Sequence, residues 1–178
     1  MDLLRENQFL ITRRHFFGRS SMGIGAAALA FHGISRSTFD QDILVTDARV
    51  LDEAFWRQLE TSVHVDVRRG DAADPLAGVV RLRQDGERDV DLVVGRHGWQ
   101  EEILARAELV PNSNGLRVVR AADLVLLKLY AGGSQDRWDI EQLIALDDSG
   151  SLVREVESRL SELPQQCTPA WAKLRRSE

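Results

Sequence analysis

Two short acidic patterns in the sequence are spaced for chemistry. Asp40-Gln41-Asp42 runs into Ile43-Leu44-Val45, and Asp89-Val90-Asp91 runs into Leu92-Val93-Val94. In a β-strand, residues two apart point to the same side, so each pair presents both carboxylates on one face while Ile43 and Val45 can enter a core. Like charges this close repel. They are tolerated when solvated, or when a divalent cation sits between them. A hard cation such as Mg²⁺ takes carboxylate oxygens and completes its octahedron with phosphates and water. Sites for phosphoryl transfer use this arrangement, because the metal neutralises phosphate charge and lowers the pKa of an attacking hydroxyl. Two-metal versions draw a third carboxylate from a neighbouring strand. Asp91, nearer the apolar body of its strand than Asp89, is expected to supply it, giving Asp40, Asp42 and Asp91 as the candidate metal ligands and catalytic groups. A solvated strand end has the same appearance, and spacing alone does not separate the two readings.

The elements that must position these residues can be read on either side of them. Upstream, Gly23-Ile24-Gly25-Ala26-Ala27-Ala28-Leu29-Ala30-Phe31-His32-Gly33 reads as a tight glycine turn opening a short Ala-rich helix that Gly33 ends. A helix start offers unpaired N–H groups to an anion, and Gly25 stands 15 residues before Asp40, which suits a phosphate cradle beside a metal site. The polar loop Ile34 to Thr38, with Arg36, leads into the first acidic strand.

Downstream, the spacing predicts one amphipathic helix over 49–61, an alternating strand over 63–67, and strands over 79–82 and 89–94 joined by a turn at Gln84-Asp85-Gly86. It then predicts a helix over 99–109, a short strand over 116–119, and an apolar helix over 121–130 stopped by Gly132-Gly133. Two further helices are expected over 136–146 and 151–163, with 164–178 as a frayed basic tail. The expected fold class is α/β: a small mixed sheet flanked by helices with a helical C-terminal part, in one domain over 23–163 after an atypical segment 1–22.

The composition excludes several classes. Of 178 residues, 43% are apolar and 29% charged, as in an ordinary globular protein. The net charge of −5 leaves no global cationic field for nucleic acid or anionic lipid. A single cysteine, Cys167, excludes an internal disulfide and a multi-thiolate zinc site. The weakly charged stretch Ser20 to Phe31 is too short to span a bilayer, so no stable membrane insertion is expected. Thr12-Arg13-Arg14-His15-Phe16-Phe17-Gly18-Arg19, followed by this stretch and by Ala28-Leu29-Ala30, resembles a twin-arginine export signal. Cleavage after Ala30 would remove Gly25, so export and the phosphate cradle exclude each other in one mature molecule.

Gly25-Ala26, Ala28, His32-Gly33, Arg36, Thr38, Asp40 and Asp42 resemble the signature of the DNA polymerase β-like nucleotidyltransferases, in which Gly-Gly or Gly-Ser precedes Asp-x-Asp. The similarity is to the minimal and abortive-infection toxin type. Ala121 to Gly133, with Lys128, followed by Asp136-Arg137-Trp138-Asp139-Ile140, resembles that type's second block. Here the second residue of the glycine pair is alanine, and Phe16 to Met22 stands where the family has an apolar strand. The resemblance implies transfer of a nucleoside monophosphate from a nucleoside triphosphate to a hydroxyl on a transfer RNA, a protein or a small molecule. It implies Mg²⁺ on Asp40, Asp42 and Asp91, with nucleotide contacts from Gly25, Ala26, Arg36 and Lys128, a cytoplasmic setting and a cognate antitoxin as partner. Asp136 and Asp139 read as a helix cap and an ion-pair partner. The alternatives are a catalytically inactive partner-binding protein of the same fold, and an exported fragment.

Overall fold

A computed structural model describes residues 21–35, 40–57, 59, 62–72, 74–111 and 116–176. Arg36 and the arginine-rich stretch Thr12 to Arg19 lie outside the described residues. The fold is mixed α/β. Among the described residues, seven strands form one sheet: β1 (Ser21–Gly23), β2 (Asp40–Val45), β3 (Val63–Arg69), β4 (Gly78–Gln84), β5 (Asp89–Val94), β6 (Glu108–Leu109) and β7 (Arg117–Val118), in the order β3-β4-β5-β2-β1-β7-β6. The pairs β2/β5 and β1/β7 are parallel, and the other neighbours are antiparallel.

Two-residue periodicity gives four of these strands one apolar and one charged face. Ile43, Val45, Val80, Leu82, Val90, Leu92 and Val94 are buried on the apolar side, with Val63, Val65 and Val67 packed against them. Asp40, Asp42, Arg81, Asp89 and Asp91 share the opposite face by the same parity. The apolar face is covered by Val50, Leu51 and Trp56, and the Trp56 indole donates to the Val50 carbonyl at 2.7 Å.

These three residues do not belong to the single amphipathic helix that the spacing predicts. The segment forms two 3₁₀ turns, Ala48–Leu51 and Glu53–Trp56. Asp47 accepts from the Arg49 N–H at 3.0 Å and Asp52 from the Ala54 N–H at 2.9 Å, so each aspartate starts a new turn in place of continuing the last.

The segment before the glycine turn also departs from expectation. Ser21–Gly23 is a strand paired with β2 on one side and β7 on the other. Helix α1 (Gly25–Phe31) follows and packs against β2, with Ala26, Ala28 and Leu29 buried. Helix α2 (Gly98–Arg106) is shorter than the predicted 99–109, because Glu108 and Leu109 pair with β7. Among the described residues, no helix is long and apolar enough to cross a membrane.

The described residues up to Val119 form one compact unit, except His32–Ile34, which group with the chain from Arg120 onward in a second. The second unit contains α3 (Ala121–Ala131), α4 (Ser134–Ala145), α5 (Ser151–Arg159) and α6 (Cys167–Arg175). The last of these replaces the expected frayed tail over part of its length. Cys167, Trp171 and Leu174 recur at helical spacing and are buried. Pro169 sits in the first turn, where its missing N–H would have no helical acceptor.

Within this unit the α3 residue Lys128 is 7% exposed and Asp139 is 0% exposed. The Lys128 ammonium lies 2.5 Å from Asp139 Oδ2 and 3.2 Å from Asp136 Oδ1, and Gln135 donates to the other Asp139 oxygen at 3.2 Å. Asp136 also accepts from the Gly133 N–H at 3.1 Å, at the start of α4. Removing one partner of such a pair leaves a buried charge without its counter-ion. Asp139→Ala is expected to destabilise the chain by about 3–5 kcal/mol, read from the urea midpoint, whereas Lys128→Met combined with Asp139→Leu should recover most of that loss.

Candidate active site

Parallel strands β2 and β5 are aligned so that Asp40 lies beside Asp89 and Asp42 beside Asp91. With neighbouring strands about 4.8 Å apart, these residues form a two-by-two acidic array on the charged face of the sheet. The glycine turn reaches the same array. The Ile24 N–H donates to the Asp42 carbonyl at 2.9 Å, and Gly25 follows with φ +62°. A Cβ on Gly25 would lie 2.0 Å from Asp42 Oδ2 and 2.8 Å from its Cγ. Only glycine lets the backbone come this near the carboxylate while holding a left-handed φ. Gly25→Ala is therefore expected to cost about 1–2 kcal/mol in backbone strain, and to displace the Asp42 carboxylate. Calorimetric titration with Mg²⁺ checks the second effect, and unchanged binding would separate Gly25 from the site.

Strand β4 contributes a residue that sequence reasoning missed. Arg81 pairs with Asp91 in the antiparallel register. Its Nε donates to Asp91 Oδ1 at 2.7 Å and its Nη2 to Oδ2 at 2.5 Å, a two-pronged contact that occupies both carboxylate oxygens. The same Nη2 lies 3.9 Å from Asp40 Oδ2. The Asp91 side chain is 11% exposed and that of Arg81 41%. The hydrogen bonds to Asp91, aided by the charges of Asp91, Asp89 and Asp40, raise the guanidinium pKa further above its already high value. Arg81 is thus a permanent cation. A signal for it was present. A hairpin centred on Gly86 puts Arg81 opposite Asp91, and Val79-Val80-Arg81-Leu82 alternates so that Arg81 faces the acidic side.

Beyond Arg81 the charged face continues as a groove of about 340 Å³, lined in part by Asp66, Arg68, Val79, Arg81 and Asp91. One rim is the loop between β3 and β4. Arg96 holds this loop by donating to the carbonyls of Asp71, Leu76 and Ala72 at 2.7, 2.8 and 3.3 Å.

The structure therefore places Asp40, Asp42 and Asp91 on adjacent strands and sets Gly25 against Asp42. Ala26 opens α1 next to Gly25 and is buried. Lys128 belongs to the second unit and is paired there with Asp139 and Asp136. Among the described residues, no three His, Cys, Asp or Glu side chains converge as a metal-binding group. The expected triad of Asp40, Asp42 and Asp91 is therefore not found as a metal-binding group, and both oxygens of Asp91 accept from Arg81. The donor set of Asp40 and Asp42, two hard oxygen ligands on one face, fits a divalent cation whose remaining positions are filled by phosphate and water.

No protein-family model and no curated protein matches the chain. Solved structures resemble it at low identity. A proposed nucleotidyltransferase from H. pylori is 14% identical, with a TM-score of 0.42 over 89% of each chain. The Megavirus polyadenylate synthase is 11% identical, with a TM-score of 0.39 over 85% of this chain and 34% of that one. Terminal uridylyl transferase 4 from Trypanosoma brucei, solved with bound GTP, is 20% identical, with a TM-score of 0.27 over 49% of this chain and 28% of its own.

Proposed function

We propose that this protein is a Mg²⁺-dependent nucleotidyltransferase that moves a nucleoside monophosphate from a nucleoside triphosphate to a hydroxyl. The observation that carries the reading is the close approach of Gly25 to the Asp42 carboxylate, beside an aligned Asp91. This arrangement would bring a phosphate-binding turn and a cation-binding pair to one point. Asp40 and Asp42 would hold the cation, which when bound supplies charge neutralisation of the triphosphate and acidifies the acceptor hydroxyl. The backbone at Gly25 and Ala26 would meet the β and γ phosphates, and Arg36, outside the described residues, would add positive charge. Within its own unit Lys128 is held by two carboxylates, and the phosphate role that the resemblance implies for it would require releasing one of them. The acceptor oxygen bonds to the α-phosphorus, the bond from that phosphorus to pyrophosphate breaks, and the hydroxyl proton passes to Asp91.

Transfer RNA, a protein hydroxyl and a small molecule are the acceptor classes implied by the resemblance, as is a toxin role with a cognate antitoxin. Incubating the full chain and Mg²⁺ with each of the four α-labelled triphosphates in cell extract reports donor and acceptor class together. Label is expected in one acceptor class, with none when Mg²⁺ is chelated. Absence of label from all four, with folded protein, refutes the reading.

The Arg81–Asp91 contact favours a second reading, an inactive partner-binding protein of the same architecture. Nucleotide calorimetry separates the two, because the inactive protein gives no Mg²⁺-dependent heat with any triphosphate. A cytoplasmic setting is part of the leading proposal. It is supported by the burial of Met22 and Leu29, apolar residues that an export signal would use. N-terminal sequencing that found Phe31 as the first residue of the native protein would overturn it.

A further inference from the structure

We infer that the outer edge of β3 is a docking surface for a second copy of this chain, which joins two sheets into one across a two-fold axis. The inference stands apart from the nucleotidyltransferase reading. Among the described residues β3 is an outermost strand, paired on one side only, with β4. Its seven residues keep one unbroken register, from Val63 opposite Gln84 to Arg69 opposite Gly78, so no bulge turns the edge away. The strand holds no proline and no lysine, residues that commonly block an exposed edge. At the other end of the sheet β6 has two residues, and its shortness blunts that edge. Val63, Val65 and Val67 are half-buried and pack on the core, so the apolar face of the sheet stops at β3 incompletely covered.

The order of side chains along β3 selects its own copy as the partner. Residues directly opposite each other on antiparallel strands lie on the same face of a sheet. With the axis at Val65, that residue meets itself, Val63 meets Val67 twice, and His64 meets Asp66 twice. Every valine then lies on a valine, and an imidazole N–H can donate to the facing carboxylate. Moving the axis to Asp66 sets that carboxylate against itself and His64 against Arg68. Moving it to Val67 sets Val65 against Arg69. Asp66 already has Arg83 and Arg68 of its own chain at 3.8 and 3.7 Å, too far for hydrogen bonds, so its oxygens remain acceptors. Arg69 lies beyond the pairing, with its guanidinium donating to the Leu51 carbonyl at 2.5 Å. The axis runs perpendicular to the sheet, so the charged faces of both copies lie on one side. The groove of one copy, lined in part by Asp66 and Arg68, then adjoins the hollow of the other that Ser62, His64, Arg83 and Asp85 line.

Sedimentation of the full chain over a range of concentrations, with hydrogen exchange of the β3 amides, tests this. Wild type is expected to approach twice the mass of the chain on concentration, with slower β3 exchange in the dimer. His64→Asp sets carboxylate against carboxylate twice across the axis, while within its own chain it faces Arg83. It is expected to weaken the dimer about tenfold or more and to remain folded. Asp66→Lys is expected to weaken it likewise, and mixing the two variants should restore a dimer, because the introduced acid then faces the introduced base. Wild type that keeps one mass at every concentration overturns the inference, including the case in which another segment of the chain already protects the β3 amides. So does a dimer that His64→Asp leaves at wild-type affinity, whether or not Asp66→Lys folds. Two folded variants that stay apart on mixing also overturn it.

Discussion

Asp42→Asn is expected to reduce Mg²⁺-dependent nucleotide transfer by about a thousandfold or more, while the protein remains folded. The substitution keeps the shape of the side chain and one oxygen, and removes the charge that a hard cation requires. Asp42 is the carboxylate that the glycine turn and the acidic array share. Its backbone carbonyl holds the Ile24 N–H, its side chain lies against Gly25, and Asp91 stands beside it on β5. A metal that stabilises developing phosphate charge contributes several kcal/mol to the transition state, and about 4 kcal/mol corresponds to a thousandfold in rate. The check is a comparison of initial rates with labelled triphosphate at saturating Mg²⁺. A loss below about tenfold would show that Asp42 does not hold the cation.

Removal of residues 1–30 is expected to abolish cooperative folding. The deletion takes away β1, which lies between β2 and β7, and so divides the sheet into β3-β4-β5-β2 and β7-β6. It also takes away Met22, Ala26, Ala28 and Leu29, all 3% exposed or less. Burial of Met22 and Leu29 alone contributes about 1.5–3 kcal/mol each, and the newly exposed edges of β2 and β7 lose their ladder hydrogen bonds. A typical domain has about 5–15 kcal/mol in total, so the remainder falls near or below zero. Far-UV circular dichroism with thermal melting decides the matter. A chain starting at Phe31 that melts cooperatively would show that the strand and helix are dispensable, and would return the export reading to contention.

The readable and unreadable parts of the sequence differ in the range of the interactions that determine them. Asp40–Val45 and Asp89–Val94 could be placed because their period of two is local. That these strands lie side by side, aligned residue for residue, is a long-range fact, and the acidic array depends on it. Gly25 could be suspected from its place before the Asp-x-Asp pattern. Its approach to Asp42 required the turn, β1 and β2 together. The expected helix over 49–61 failed because apolar spacing outweighed two aspartates whose side chains restart the backbone at Asp47 and Asp52. The tail failed for the opposite reason. Pro169 and the basic residues suggested fraying, although Cys167, Trp171 and Leu174 already carried a helical period. Arg81 was legible only through the hairpin register around Gly86. A lone arginine in a strand has no chemical meaning until its cross-strand partner is known.

Aligned acidic neighbours also impose a mechanical tension on the sheet. Negative side chains directly opposite each other on paired strands oppose the pairing, by about 0.2–1 kcal/mol for each such pair. Blunting that repulsion at Asp42 should tighten the joint between β2 and β5, so the Asp42→Asn protein is expected to melt a few degrees above wild type in metal-free buffer. Robustness and turnover would then be inherited from the same pair of carboxylates with opposite sign.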